Sequence, residues 1–220
     1  MTILRYRWEI FFAIIIAFAI PLAAYNYSIK HQQKIVIPVP TFITQASNTA
    51  QINKIPKIIP QSKTSSWEAS DGQQQITMRE NGINTPIHTY QFFVSPPNVN
   101  ISSNTKPFFT ATTSAKTTFS IPFNAFSPND QYLFLQEKSP NETKYLLFNS
   151  SGQPFTNGNL YEDIGVLFKN YTSSYILSDV TGWASDTLLV IETQDGNGNP
   201  SKSFWFDVTN FSFIPLATRF

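Results

Sequence analysis

One arrangement of residues recurs three times after Trp67 and constrains the fold of this chain more than any other feature. Each copy begins with an aromatic residue and a short polar turn, continues as an apolar strand and a polar loop, and closes with a second strand rich in aromatic residues. The first strands contain Met78, Phe134 and Val190, which are separated by 56 positions in both intervals. A constant period indicates one structural unit used repeatedly. The pattern therefore predicts an all-β domain over residues 67–220, built from three antiparallel units.

Polar turns separate the strands within each copy. Gly, Asn and Asp stand where the chain must reverse, because these residues accept a positive φ or hydrogen-bond their own backbone. Additional apolar segments predict further strands at residues 118–121, 164–168 and 174–177.

The hydrophobic pattern differs between the copies. Residues 75–78 alternate between polar and apolar side chains, whereas residues 132–135 and 188–191 are apolar throughout. Alternation is typical of a half-exposed sheet, and an unbroken apolar run is typical of a sheet covered on both faces. We therefore expect the first unit to form a boundary of the stack and the other two to be covered on both sides.

The second copy resembles a known repeat. Residues 127–133 (Ser-Pro-Asn-Asp-Gln-Tyr-Leu), with residues 145–152 one hairpin later, resemble a blade of the TolB-like and WD40-like β-propeller repeats. In those repeats a Ser-Pro-Asp-Gly turn opens one strand and a short turn, often with Gly, follows the next. The first copy has Asp71-Gly72 without the Pro, and the third keeps Trp183 and Asp186 but lacks both Pro and Gly. Closed propellers have at least four blades. Three copies therefore imply an open stack, a sandwich, or a ring completed by a second copy.

An apolar run without charged residues covers residues 10–25, with Glu9 at its edge. A membrane-spanning helix needs about 20 apolar residues, and Trp8 and Tyr27 are placed to lie in the two interfaces. The run predicts a transmembrane signal anchor over residues 10–27, with residues 1–9 cytoplasmic and the C-terminal domain extracytoplasmic. Two alternatives stay open, a cleaved signal peptide with Arg5 and Arg7 as its basic start, and a soluble protein with a buried helix.

Residues 28–66 are polar and interrupted by four prolines, which favours an extended stalk between anchor and domain. In an alternative interpretation, the short apolar patches at residues 35–37 and 58–59 add an edge strand to the domain.

Composition excludes several classes of function. The chain has 15 basic and 14 acidic residues and no basic patch, so no nucleic-acid partner is expected. The absence of cysteine excludes disulfides, thiolate nucleophiles and Cys-ligated zinc. Aromatic residues make up 15% of the chain, which indicates a folded core.

Two acidic segments are candidate sites. Residues 195–199 (Asp-Gly-Asn-Gly-Asn) place oxygen ligands at alternating positions, but a calcium loop would have Glu where this chain has Phe206, so a hairpin turn is favoured. Glu162 and Asp163 are adjacent and would point to opposite faces of a strand, which does not favour joint acid/base catalysis.

Other candidate residues also favour ordinary roles. His31 and His88 have no third ligand or nucleophile at a recognisable spacing. Residues 204–206 (Phe-Trp-Phe), with Trp183, offer stacking surfaces for sugars or peptides, although such aromatics are more often core. No catalytic, cofactor-binding or metal-binding residue is assigned, and no cofactor is expected.

The sequence thus favours a membrane-anchored, extracytoplasmic binding or structural module. Its expected contacts are the lipid bilayer, through residues 10–27, and a protein or carbohydrate partner of the β domain. An alternative is a hydrolase or metal-binding enzyme on a propeller-like scaffold, which requires four carboxylates to converge in one cleft: Asp179, Asp186, Glu192 and Asp195. A pilin-like subunit is a weaker alternative, suggested by Glu9 before the apolar run.

Overall fold

The computed structural model describes residues 61–219, which fold into three four-stranded antiparallel sheets and one short helix. In every sheet, strands that follow one another along the chain pair directly. The first sheet contains β1 (Ser62–Glu68), β2 (Gln75–Asn81), β3 (Ile87–Ser95) and β4 (Phe109–Ser114). The second contains β5 (Thr118–Ser120), β6 (Tyr132–Lys138), β7 (Thr143–Asn149) and β8 (Tyr161–Asp163), followed by helix α1 (Ile164–Tyr171). The third contains β9 (Ile176–Trp183), β10 (Leu188–Gln194), β11 (Phe204–Asp207) and β12 (Ser212–Pro215).

The 56-residue period corresponds to equivalent positions in the three sheets. Met78, Phe134 and Val190 lie on the second strand of their respective sheets. Met78 packs in the core shared by the first and second sheets, and Phe134 packs in the core shared by the second and third. Val190 alternates with Leu189 and Ile191, which face the second sheet, so Val190 lies on the outer face of the third. The all-β prediction is confirmed for the described residues.

The second sheet is covered on both faces, as its unbroken apolar strands predict. Leu133 and Leu135 face the first sheet, while Phe134 between them faces the third. On the neighbouring strand, Leu146 faces the first sheet and Leu147 the third. All five side chains are at most 3% exposed, so this sheet is the centre of the hydrophobic core.

The two outer faces of the stack differ in chemistry. On the first sheet, Thr77 hydrogen-bonds Ser66 at 2.9 Å, and the guanidinium of Arg79 lies 5.1 Å from the Phe93 ring centroid. This face is mainly polar, as expected for a boundary. The third sheet has apolar residues on its outer face, and no other strand or helix among residues 61–219 covers them. The expectation that the third unit is covered on both faces is therefore not met by the described residues.

The predicted strand at residues 164–168 is wrong, because this segment begins helix α1. The Asp163 side chain accepts a 3.1 Å hydrogen bond from the Val166 amide and caps the helix. Ile164 and Phe168, one helical turn apart, are both buried in the core between the second and third sheets. The helix cap and the burial of these two residues favour a helix over the strand that the apolar run predicts.

Other predicted boundaries shift by a few residues. Strand β1 begins at Ser62, so it includes residues 62–66 that were assigned to the stalk. Strand β9 begins at Ile176 and continues to Trp183. The predicted anchor at residues 10–27 lies outside the described residues, and within 61–219 no helix is sufficiently long and apolar to cross a membrane.

Candidate functional site

The turns that open the second strands of the first two sheets have the same hydrogen-bond pattern. Asp71 Oδ1 accepts a 2.8 Å hydrogen bond from the Gln73 amide, and Asn129 Oδ1 accepts a 3.1 Å bond from the Gln131 amide. Asp71 and Asn129 are therefore equivalent, and Asp130 stands where the first turn has Gly72. Both residues have left-handed backbones, with φ of +70° at Gly72 and +56° at Asp130.

Asp130 is an unusual residue for this position. A left-handed conformation favours glycine, because a Cβ atom crowds the backbone there. The residue is only 6% exposed, and no donor group within the described part of the chain hydrogen-bonds its ionised carboxylate oxygens. The backbone is held firmly, since its amide donates to the Ser127 carbonyl at 2.9 Å and the Ser150 hydroxyl donates to its own carbonyl. The carboxyl group is thus held in a buried position without an ion-pair partner among residues 61–219.

The carboxyl of Asp71, from the turn of the first sheet, is a charged neighbour of the Asp130 carboxyl. Burial raises the pKa of Asp130 to about 6, and hydrogen bonding and repulsion with Asp71 contribute to the same shift. Two ionised carboxylates only accept hydrogen bonds, so this pair can hydrogen-bond only when one carboxyl holds a proton. The arrangement therefore favours a proton shared between the two carboxyl groups.

A cleft of about 740 Å³ lies next to these turns, between the first and second sheets. Gln73 and Gln74, which follow Asp71, form part of one wall, and Ser150 and Gly152 form part of the other. The Gln74 side-chain oxygen is buried without a hydrogen-bond partner within residues 61–219. Lys106 is the one ionisable side chain on the walls. The complete lining is Gln73, Gln74, Val94, Ser95, Pro96, Lys106, Pro107, Phe108, Ser150, Ser151 and Gly152.

A second polar cluster lies within the first sheet. His88 Nδ1 is 2.9 Å from Glu80 Oε1, and the Tyr90 hydroxyl donates a 3.0 Å hydrogen bond to the same oxygen. Burial, with the neighbouring Glu80, raises the pKa of Tyr90 to about 12. His88 is 7% exposed and therefore packed, which is one of the ordinary roles that the sequence favours. The cluster is a hydrogen-bonded network on neighbouring strands. His31 lies outside the described residues.

The structure does not bring the four carboxylates of the enzyme hypothesis together. Asp186 precedes and Asp195 follows strand β10, so about 20 Å of extended chain separates them. Asp179 accepts from Tyr145 across the interface to the second sheet. Glu192 is held by Ser203 at 2.9 Å and Arg219 at 2.7 Å. Residues 61–219 contain no group of three His, Asp or Glu residues placed to hold a metal ion.

The two acidic segments have local structural roles. Asp195 accepts hydrogen bonds from the amides of Asn197 and Asn199, both at 2.9 Å, which closes the predicted hairpin turn. These bonds, with one from the Asn199 side chain, lower the pKa of Asp195. Glu162 is buried and accepts from Asn157 and Asn159 at 2.6 and 3.0 Å, while Asp163 caps α1.

The aromatic residues considered for stacking divide between two faces. Phe204 and Phe206 are buried in the core, and the indole of Trp183 donates a 3.2 Å hydrogen bond to the Ala125 carbonyl. Trp205 lies on the opposite face, directly between Val190 on one neighbouring strand and Ile214 on the other. We call Leu188, Val190, Trp205 and Ile214 the outer strip of the third sheet. Ile214 is 42% exposed and the other three are half-buried.

The sequence interpretation identified Asp71 and Asp130 as turn residues and missed their juxtaposition. The available signal was the Ser-Pro-Asn-Asp sequence, in which Asp stands where the resembled repeat has Gly. No local sequence pattern predicts that Asp130 lies beside Asp71, which is 59 positions earlier. No protein-family model, curated protein or solved structure matches this chain.

Proposed function

We propose that this chain is a membrane-anchored, extracytoplasmic binding module whose three sheets form an open propeller-like stack, and that a second copy of the chain covers its third sheet. The observation that carries the proposal is the outer strip. Its residues are apolar, like those that pack between sheets inside the stack, yet they lie on the outer face of the last sheet.

The repeat itself argues for another sheet as the occupant. Ile76 and Met78 of the first sheet pack against the second, and the equivalent Tyr132 and Phe134 of the second pack against the third. Leu188 and Val190 occupy the same positions in the third sheet. The Glu192 carboxylate beside the strip is already paired with Arg219 at 2.7 Å. Its charge therefore adds little to the free-energy cost of burying the strip against an apolar partner. The outer strip thus occupies the positions that form the two sheet interfaces inside the chain, and this favours another sheet of the same protein as its partner.

The polar outer face of the first sheet favours a two-fold arrangement over head-to-tail stacking. In head-to-tail stacking, the outer strip would meet the face that carries Thr77 and Arg79, whose polar groups hydrogen-bond within their own chain. Facing two third sheets instead buries apolar surface on both copies and closes the assembly as a symmetric dimer. Two chains anchored in one membrane would also meet at a raised local concentration.

Single-cysteine crosslinking of the full chain in membranes tests this arrangement, because the natural sequence contains no cysteine. Ile214→Cys places a thiol in the outer strip, and Thr110→Cys places one on an exposed position of the first sheet as a matched control. We expect oxidation to produce a covalent dimer from the Ile214→Cys chain and not from the Thr110→Cys chain. A crosslink only in mixtures of the two variants would indicate head-to-tail contact and overturn the two-fold arrangement, and absence of any crosslink would overturn the dimer.

The anchor is tested separately. We expect the full chain to remain with the membrane pellet after alkaline carbonate extraction, and a chain lacking residues 1–27 to be released. External protease should reach the β domain in intact cells without lysis. Release of the full chain by carbonate, or protection of the β domain from external protease, would contradict the proposed location.

A further inference from the structure

Another cavity, of about 270 Å³, lies where segments of all three units meet. Glu68 and Ser70 line it from the first unit, at the end of β1 and in the turn that follows. Phe123 and Asn124 line it from the segment between β5 and β6, and Trp183 lines it from the end of β9. It shares no lining residue with the cleft of about 740 Å³, so the two are separate. We call it the three-sheet cavity.

Phe123 is the most exposed large apolar residue among residues 61–219, at 89%. Its backbone is nevertheless held in a turn, because the Ala125 amide donates to the Pro122 carbonyl at 3.2 Å. The Ala125 carbonyl accepts from the Phe134 amide at 3.0 Å and from the Trp183 indole at 3.2 Å. The turn is thus bonded to the second and third sheets. An exposed side chain on a loop held in this way is typical of a residue that contacts a ligand.

The hydrogen-bonding groups of the cavity are available to a ligand. Asn124 packs closely on β9, where a Cβ atom at Gly182 would lie only 3.0 Å from the Asn124 Cβ. The side chains of Glu68, Ser70 and Asn124 have no hydrogen-bond or ion-pair partner among residues 61–219. One carboxylate, one hydroxyl and one amide are therefore free to bind a ligand.

Trp183 contributes apolar surface to the cavity. Its indole N–H is already donated to the Ala125 carbonyl, and the Tyr132 ring is stacked on the indole with 6.3 Å between centroids. Phe126, which is buried, and Phe123 add further aromatic surface. The cavity thus combines aromatic side chains with a few polar groups, which is the usual composition of a small-molecule site.

We propose that the three-sheet cavity binds a terminal unit of a neutral saccharide. A sugar ring has an apolar face of C–H groups, which matches Phe123, and a rim of hydroxyls that both donate and accept hydrogen bonds. Glu68 accepts, whereas Ser70 and Asn124 do both, so a hydroxyl rim can satisfy all three. The volume is close to the lower limit for ligand pockets, roughly 300 Å³, which fits one sugar unit better than a chain.

Other ligand classes match fewer of these groups. An anionic ligand would be repelled by Glu68, which is the one ionisable residue among those that line the cavity. A quaternary ammonium ion could use Glu68 and the rings, but it has no hydrogen-bonding group for Ser70 and Asn124. The site does not depend on the proposed dimer, because Trp183 packs on the inner side of the third sheet and the outer strip is on the other side.

A glycan array tests this assignment with the full chain in a detergent that has no sugar headgroup. The array carries neutral oligosaccharides together with sialylated and sulfated ones, and its dense display detects weak binding through multivalency. We expect retention on a subset of the neutral glycans. Isothermal titration with the smallest retained glycan should give one site per chain, and free glycan should leave the crosslinking of Ile214→Cys unchanged.

Three variants and one control make the test specific. Phe123→Ala should lower the affinity about 10- to 100-fold, because the ring no longer contacts the sugar, and Phe123→Tyr should keep it. Since Phe123 is 89% exposed, both should keep the unfolding temperature within about 2 °C. Glu68→Gln removes the charge and should lower the affinity about 5-fold. Ile87→Ala, the control, truncates a 59% exposed apolar residue that does not line the cavity and should leave retention unchanged.

Three outcomes would overturn the proposal. The first is retention on no glycan of the array. The second is retention on sialylated or sulfated glycans alone, which would indicate an anion site. The third is retention that Phe123→Ala and Glu68→Gln leave as strong as Ile87→Ala does, which would place the sugar elsewhere. None of these results bears on the dimer, which the Ile214→Cys crosslink tests separately.

Discussion

The Tyr145 hydroxyl donates a 2.6 Å hydrogen bond to the carboxylate of Asp179, across the interface between the second and third sheets. The same hydroxyl accepts a 3.2 Å bond from the Gln136 side chain. Burial, with the neighbouring carboxylate, raises the pKa of Tyr145 to about 12. This bond, like the one from the Trp183 indole to the Ala125 carbonyl, reinforces an interface formed mainly by apolar side chains.

We expect Tyr145→Phe to lower the free energy of unfolding by about 1 to 3 kcal/mol, because the hydrogen bond is lost and Gln136 loses its acceptor. Tyr161→Phe is the control, since Tyr161 is 41% exposed and should change stability by less than about 0.5 kcal/mol. Urea unfolding followed by tryptophan fluorescence measures both. Equal effects of the two substitutions would show that the Tyr145–Asp179 bond contributes nothing specific.

The protein should lose stability as the pH rises from about 4 to about 6. The pKa of Asp130 is raised from 3.8 to about 6 in the folded state, so the folded chain binds more protons than the unfolded chain in this window. Stability from a raised pKa is present below the unfolded value and is lost as pH passes through the folded value. For this partly solvated pair, we expect a change on the order of 1 to 2 kcal/mol.

Asp130→Asn isolates this contribution from the other carboxyl groups. The natural chain and the variant should have similar free energies of unfolding at pH 4, and the variant should be the more stable at pH 7. Urea titrations at both pH values provide the comparison. A natural chain that is more stable than the variant at pH 7 would contradict the prediction.

Adjacent residues on β10 test which face of the third sheet is covered. Ile191 is fully buried toward the second sheet, so Ile191→Ala should cost about 2 to 5 kcal/mol. Val190 lies in the outer strip, so Val190→Ala should cost about 1 kcal/mol or less in dilute protein. Thermal unfolding at low concentration separates these effects from association. A similar cost at both positions would mean that the outer face is as covered as the inner one.

Gly82 should be the least replaceable of the hairpin glycines. It has a φ of +83°, and a Cβ atom would lie 2.6 Å from the Ile87 carbonyl oxygen. We expect Gly82→Ala to cost about 1 to 3 kcal/mol. Gly196, with no such φ and no atom within 4 Å of a Cβ, should tolerate alanine within about 0.5 kcal/mol. Calorimetry of both variants gives the comparison, and a neutral Gly82→Ala would show that this turn can relax.

Strand positions could be predicted from the sequence where the signal is local. Residues 75–78, 132–135 and 188–191 lie in β2, β6 and β10, because an apolar run bounded by turn residues is sufficient to form a strand. The same signal failed at residues 164–168, where Asp163 begins a helix and Ile164 and Phe168 meet the core on one side. A short apolar run fits either structure, and long-range packing decided between them.

The sequence by itself determined that the described chain forms three equivalent antiparallel units, because turn chemistry and strand hydrophobicity act over a few residues. The tertiary structure decided which sheet faces are covered, leaving the outer strip of the third sheet half-buried, with no other strand or helix among residues 61–219 over it. It also brought Asp71 to Asp130, which is 59 positions away. Contacts of this kind depend on how the sheets stack, and no local pattern specifies which side chains from different sheets will meet.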